Sequence, residues 1–127
     1  MDRSEDWLRQ AKRDLQAAKI VFDKGIFEWT CFLAQQAAEK AVKAVCEKLK
    51  IECWGHSVSK ILKELPIDAP REIIEFAMIL DRYYIPTRYP NGFDTGAPLD
   101  YYTKKDAREA INYAEKIINF CERNIHG

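Results

Sequence analysis

The chain has 127 residues, with 20 Lys+Arg balancing 20 Asp+Glu to a formal net charge of zero, 47% hydrophobic residues and 31% charged ones. This length fits one domain, residues 1–127, around one core, and the apolar share excludes a chain too polar to fold. The balanced charge excludes the net positive field on which non-specific clamping of DNA or RNA relies, while leaving room for a local basic site.

No run of about 18 apolar residues occurs, so no membrane-spanning helix is expected. The N-terminal Met1-Asp2-Arg3-Ser4-Glu5-Asp6 is polar and acidic, unlike a signal peptide. The four cysteines, Cys31, Cys46, Cys53 and Cys121, form no CxxC pair and fall mostly within helical patterns. The expectation is four reduced thiols in a cytoplasmic protein. Cys53 and His56 with Cys46, or Cys121 with His126, give no closed tetrahedral set of conventional spacing, so neither a metal nor another cofactor is expected.

The first predicted helix covers residues 4–24, where Leu8, Ala11, Leu15, Ala18 and Phe22 recur at three- and four-residue steps. Gly25 stops it, and the short turn that follows predicts an antiparallel return. The second helix, over 26–50, is apolar nearly all round from Phe27 to Leu33. It then presents a small apolar face of Ala34, Ala37, Ala38, Ala41, Ala44 and Val45. Its opposite arc carries Gln36, Glu39, Lys40, Lys43 and Glu47. Residues 51–55 break the pattern, and His56-Ser57 opens a short third helix with Ser57 as its N-cap. Pro66 and Pro70 bracket a linker into a fourth helix over 71–84 that buries Ile73, Ile74, Ala77 and Leu80.

Residues 83–102 hold three prolines, two glycines and five of the six tyrosines. A loop of this length inside a compact domain is functional or disordered, and tyrosine, with an apolar ring and a polar tip, favours function. The last helix, 103–124, carries a sustained core stripe from Ala107 to Cys121. No strand pattern appears. The fold expected is all-α, an antiparallel bundle of about five helices with a four-helix up-and-down core.

The run Gln35-Gln36-Ala37-Ala38-Glu39-Lys40-Ala41-Val42-Lys43-Ala44 resembles the signature of HEPN domains (higher eukaryotes and prokaryotes nucleotide-binding). Gly55-His56-Ser57, Leu80-Asp81, Tyr84-Ile85-Pro86-Thr87-Arg88-Tyr89-Pro90 and a final helix opening near Asp106-Ala107 continue the likeness in order along nearly the whole chain. The resemblance implies a helical bundle, a homodimer, and pairing with a minimal nucleotidyltransferase in a toxin–antitoxin-like module. Some HEPN proteins are metal-independent ribonucleases with an Arg-x(4–6)-His motif. This chain departs from them: Arg88 is followed by Tyr-Pro-Asn-Gly-Phe-Asp, and no arginine has a histidine at that spacing. The reading is therefore a nucleotide- or RNA-linked interaction module. The alternative is a ribonuclease in which Arg88 works with Tyr89 or His56.

Candidate ligand-binding residues are Arg88, Tyr89, Tyr84, Arg82, Lys43, Gln36, Glu39 and His56; no catalytic residue is assigned. Gln36, Glu39 and Lys43 can line a groove facing the Tyr84–Tyr89 loop, or form a solvated stripe of i,i+4 pairs worth a few tenths of a kcal/mol each. Arg82 and Arg88 among tyrosines suit a phosphate and a stacked base. Otherwise Arg88 fastens the loop by pairing with Asp81 or Asp94. His56 is expected to bond the start of the third helix rather than a ligand. Exposed Trp7, Trp29, Trp54 and Phe93 are expected to feed a dimer interface.

Overall fold

The computed structural model describes all residues, Met1–Gly127. Five helices form: α1 (Ser4–Asp23), α2 (Phe27–Leu49), α3 (Val58–Glu64), α4 (Arg71–Asp81) and α5 (Lys104–His126). Two single 3-10 turns, Pro90–Gly92 and Pro98–Asp100, lie in the segment before α5, and no strand is present. None of the helices is long and apolar enough to cross a membrane.

The periodic apolar stripes become the core. In α1, Leu8, Ala11, Leu15 and Ala18 are buried; in α5, Ala107, Ala110, Ala114, Ile117, Ile118 and Cys121 are. α2 is the central helix and touches each of the other four. Its alanines 34, 37, 38, 41 and 44 are all fully buried, so neighbouring backbones approach closely on several sides. Gly25, at φ +75°, lets the chain reverse between α1 and α2. Lys12 pairs with Glu122 and Lys19 with Glu115, so α1 and α5 run antiparallel. Tyr83 meets Tyr102 and Phe76 stacks on Tyr113, so α4 and α5 do too. The result is an up-and-down four-helix core of α1, α2, α4 and α5, with α3 as a short crosspiece.

α3 is held at its N-terminus by α4. The Asp81 carboxylate accepts from the Val58 N–H at 2.6 Å, the Ser59 N–H at 3.3 Å, and the hydroxyls of Ser57 (2.9 Å) and Ser59 (2.5 Å). A carboxylate is favourable there, where helix N–H groups lack intrahelical partners. Ser57 is the N-cap, as its position predicts, accepting from the Lys60 N–H. α4 itself stops at Asp81 rather than at Tyr84. The N–H groups of Arg82 and Tyr83 turn back to Ile79 and Leu80, tightening the last turn, and the Tyr84 carbonyl accepts from Arg88 instead of continuing the helix.

The cysteine expectation is corrected. Cys46 and Cys53 form a disulfide with Cα atoms 6.3 Å apart, an ordinary separation for such a bond. Lys50, in the left-handed conformation at φ +58°, reverses the chain after α2, and the Ile51 N–H donates to the Cys46 carbonyl. That reversal swings Cys53 back against the last turn of α2. Only Cys31 and Cys121 are free thiols, both buried.

Burial pushes the Cys31 thiol from its ordinary 9.0 up to about 12, with the Asp106 and Glu28 charges adding to the effect. Burial alone raises Cys121. Tyr83 and Tyr102 are raised first by burial and then by neighbouring Cys31 and Asp106. Each of these acids is neutral in the fold and ionises more readily when unfolded. Their contribution to stability is complete below the unfolded values and is lost as pH rises toward the folded ones. The urea midpoint should therefore fall between about pH 9 and pH 12, and fall less in Cys31→Ala. A midpoint that holds level across that window, or an alkaline loss identical in the variant, would contradict this.

Asp81→Ala strands the first N–H groups of α3 and two hydroxyls. It should cost about 1.5–3 kcal/mol, read as a lowered urea midpoint with unchanged slope. A change within experimental error would show that water replaces the carboxylate without loss.

Candidate functional site

Side chains from α2, the turn before α3 and the segment after α4 converge on one face. Phe32, Gln35, Glu39 and Lys43 recur at three- and four-residue steps, so α2 presents them on one side. Glu39 is only 6% exposed. Its carboxylate accepts from the Lys43 ammonium at 3.0 Å and from the Gln35 amide at 3.2 Å. His56 Nδ1 lies 3.2 Å from both carboxylate oxygens. A carboxylate only accepts, so Nδ1 is the donor, and Nε2 lies on the far side of the ring from Glu39. The His56 side chain is 52% exposed, which leaves Nε2 available.

The ring of Tyr84 stacks on His56 with centroids 4.3 Å apart and 19° between planes. The Arg88 guanidinium lies 4.5 Å from the centroid of Phe32, 4.7 Å from that of Tyr84 and 5.2 Å from that of Tyr89. Its Nε donates to the Tyr84 carbonyl at 2.8 Å, which fixes the plane of the fork. The four other N–H bonds of the guanidinium, out of five, have no protein partner. A half-buried cation on aromatic faces, with its outer donors open, is suited to a bidentate oxyanion such as phosphate.

The loop is ordered from within. Thr87, fully buried, donates its hydroxyl to the Tyr83 carbonyl at 2.6 Å, and the Arg88 N–H bonds the Ile85 carbonyl. Further on, Phe93 stacks on Tyr101, whose hydroxyl bonds the Thr95 carbonyl. The Asp100 carboxylate accepts from the Ala97 N–H, and Gly96 at φ +78° passes so close that a Cβ would meet that carboxylate at 3.0 Å.

Of the residues singled out from the sequence, Arg88, Tyr84, Tyr89, His56, Glu39 and Lys43 come together in this way. Arg82 does not: it is exposed beyond α4 and makes no side-chain hydrogen bond or ion pair. Gln36 faces elsewhere, donating to the Gln35 side chain and accepting from Lys40, which pairs with Asp14 of α1 at 2.5 Å. Of the i,i+4 pairs of the solvated stripe, Glu39–Lys43 forms but in a buried setting, and Lys43–Glu47 does not form. Glu39 is buried, and Lys43 bonds Glu39 alone.

Two further pairings expected from the sequence do not form. Arg88 pairs with neither Asp81, which is spent on α3, nor Asp94. His56 does not bond the start of α3, which Ser57 and Asp81 serve; its ring turns to Glu39 and Tyr84. The residues that sequence reasoning missed are Phe32, Gln35 and Asp81. The buried Gln35 spends both amide hydrogens, one on Glu39 and one on the His56 carbonyl at 3.1 Å. A glutamine enclosed by alanines on an apolar face was the available signal.

The model of the HEPN domain matches residues 4–124. A Methanocaldococcus jannaschii protein named Putative toxin MJ1304 is 28% identical over 123 residues, spanning 88% of this chain and 81% of that one. The crystal structure of TT1696 from Thermus thermophilus superposes with a TM-score of 0.95 at 42% identity, covering 98% of this chain and 99% of that one. ST0689, described as an archaeal HEPN homologue, gives 0.85 at 45% identity over 98% and 99% of the two chains. A HEPN domain protein from Thermotoga maritima gives 0.77 at 39% identity over 93% and 95%.

Proposed function

Because this chain belongs to the HEPN domain family, we propose that it is the HEPN subunit of a toxin–antitoxin-type module, dimeric and partnered by a minimal nucleotidyltransferase, which receives a nucleotide or RNA phosphate on its Arg88 face. The observation that carries the ligand reading is the open Arg88 fork seated on Phe32, Tyr84 and Tyr89. The likeness to the Methanocaldococcus jannaschii protein supports the module. The half-exposed Tyr89 ring offers a surface on which a base can stack while the fork takes the phosphate.

A second reading has one observation in its favour. His56 and Arg88 both pack on the Tyr84 ring, and Glu39 holds His56 with Nε2 outward. An imidazole nitrogen and a guanidinium fork beside one aromatic ring would suit metal-independent RNA cleavage, the first to move a proton and the second to stabilise an anion. Here histidine comes from the turn before α3 instead of following the arginine in sequence.

One experiment separates the two. Binding of a labelled RNA oligonucleotide and of ATP should weaken by about one to two decades in Arg88→Ala, the loss of a charge-assisted hydrogen bond of about 1.5–3 kcal/mol. The helical circular dichroism should be unchanged. Equal binding by wild type and variant would remove Arg88 from the site. RNA cleavage in chelator by the wild type, abolished in both Arg88→Ala and His56→Ala, would establish the second reading.

The dimer draws on the same face. Trp29, 44% exposed, lies edge-on to Phe32 and extends the aromatic surface around Arg88. Trp7 and Phe93, expected to be exposed, are half-buried instead, one against the core and the other on Tyr101. A contiguous aromatic surface of this kind marks an interface. Light scattering should give a mass of about twice the 14.8 kDa chain, and Trp29→Glu should lower it. A 14.8 kDa species at tens of micromolar would refute the dimer.

A further inference from the structure

Beside the C-terminal end of α2 lies a cavity of about 540 Å³, lined by Trp7, Trp54, Lys43, Lys50 and both sulfur-bearing residues of the Cys46–Cys53 disulfide. Its size is that of a small-molecule site. The two cysteines are unequally reachable: Cys46 is 4% exposed, whereas Cys53 is half-buried. The disulfide also has a particular place in the chain. No backbone–backbone hydrogen bond involves residues 52–56. Between the Ile51 N–H, bound to the Cys46 carbonyl, and His56, whose carbonyl Gln35 binds and whose ring Glu39 binds, the disulfide is the one covalent or polar tether to α2. Trp54 in that span is 78% exposed, and Gly55 at φ +85° turns the chain into His56. Lys43 belongs to both places, lining the cavity and binding the Glu39 carboxylate that holds the His56 ring.

We propose that this cavity is a thiol–disulfide exchange site, and that opening the Cys46–Cys53 bond there releases residues 51–56 and uncouples His56 from Glu39. The reactant is a small dithiol. One of its thiolates attacks Sγ of Cys53, the more accessible sulfur; the Cys46–Cys53 bond breaks, and Cys46 leaves as a thiolate that takes up a proton. The second thiol of the reagent then attacks the mixed disulfide, releases Cys53 as a thiolate that is protonated in turn, and departs as a cyclic disulfide. The reagent is oxidised by two electrons and the protein reduced by two. The freed segment keeps only its end anchors to α2, the Ile51 N–H bond and those at His56, and local opening that works the His56 ring loose follows from the lost tether between them. The consequence for ligand binding at Arg88 rests on the reading above; the exchange step and the release of His56 do not.

The test therefore uses no ligand. Full-length wild-type protein, native and folded, is exposed to millimolar dithiothreitol, alkylated, and mapped by mass spectrometry, with amide hydrogen exchange measured in parallel. Two newly alkylated thiols, Cys46 and Cys53, should appear without denaturant. Exchange of the Ile51 amide, the one hydrogen-bonded N–H of residues 51–57, should quicken by about tenfold or more while α1 and α5 keep their rates. Cys53→Ser should show the same local quickening with no reductant. A bond that yields only after denaturation would overturn the proposal. So would reduction that leaves the Ile51 amide unchanged, or one that loosens all helices together, since each of these describes a plain structural staple.

Discussion

A nearly buried carboxylate in the middle of α2 sets the terms for everything on the functional face. An unpaired ionised carboxylate at 6% exposure would cost several kcal/mol, so Glu39 must be surrounded by donors. Lys43 supplies one from a turn ahead and Gln35 another from a turn behind. The remaining demand reaches outside the helix to His56, which commits the turn before α3 to lie against α2. Gln35 reinforces this by holding the His56 carbonyl with its second amide hydrogen, and its own oxygen is satisfied by Gln36. The network leaves no buried polar side-chain atom without a partner, the condition under which such a network specifies structure rather than weakening it.

From His56 the order propagates outward. Tyr84 stacks on the imidazole, and Arg88 lies on Tyr84 while bonding its carbonyl. Asp81 performs the companion task one step earlier. It ends α4 just before Tyr84 and caps α3 just after His56, so one carboxylate fastens both segments that deliver the site. The polar face is thus assembled from α2 toward solvent, each residue positioned by the one beneath it.

This explains what was legible in the sequence and what was not. Helices α1, α2 and α5 could be read almost to the residue, because a helix that buries one stripe must repeat apolar residues at its own period. The HEPN signature in α2 was legible for a similar reason: Ala37, Ala38, Ala41 and Ala44 are dictated by close packing, and the polar residues between them by the network. The site was harder, since residues 39, 56, 84 and 88 are joined by contacts that no local period encodes. Arg82 and Arg88 look alike on paper, and only the turn after α4 decides which one folds over the rings. Gln35 and Gln36 are neighbours separated by about 100° around the helix, which places one in the core and the other toward α1. The disulfide escaped because its geometry depends on the left-handed turn at Lys50, a conformation that a lysine does not announce.

A chain with zero net charge can nonetheless present a cation with no counter-ion, because the charges on this face do not cancel evenly. Glu39 is neutralised by Lys43, and Lys40 by Asp14 on the neighbouring helix. These pairs are internal and leave no outward field of consequence. Arg88 has no carboxylate partner. Its countercharge is only the quadrupole of three rings, which stabilises a cation without neutralising it. The aromatic seat also excludes water from one face of the guanidinium, so an oxyanion arriving on the open side meets a cation with less hydration to displace. Lysine in that position would be a point charge with no plane to rest on the rings and no parallel pair of N–H bonds to offer. Tyr84 and Tyr89 of the loop therefore act first on Arg88, by holding its fork flat and unpaired.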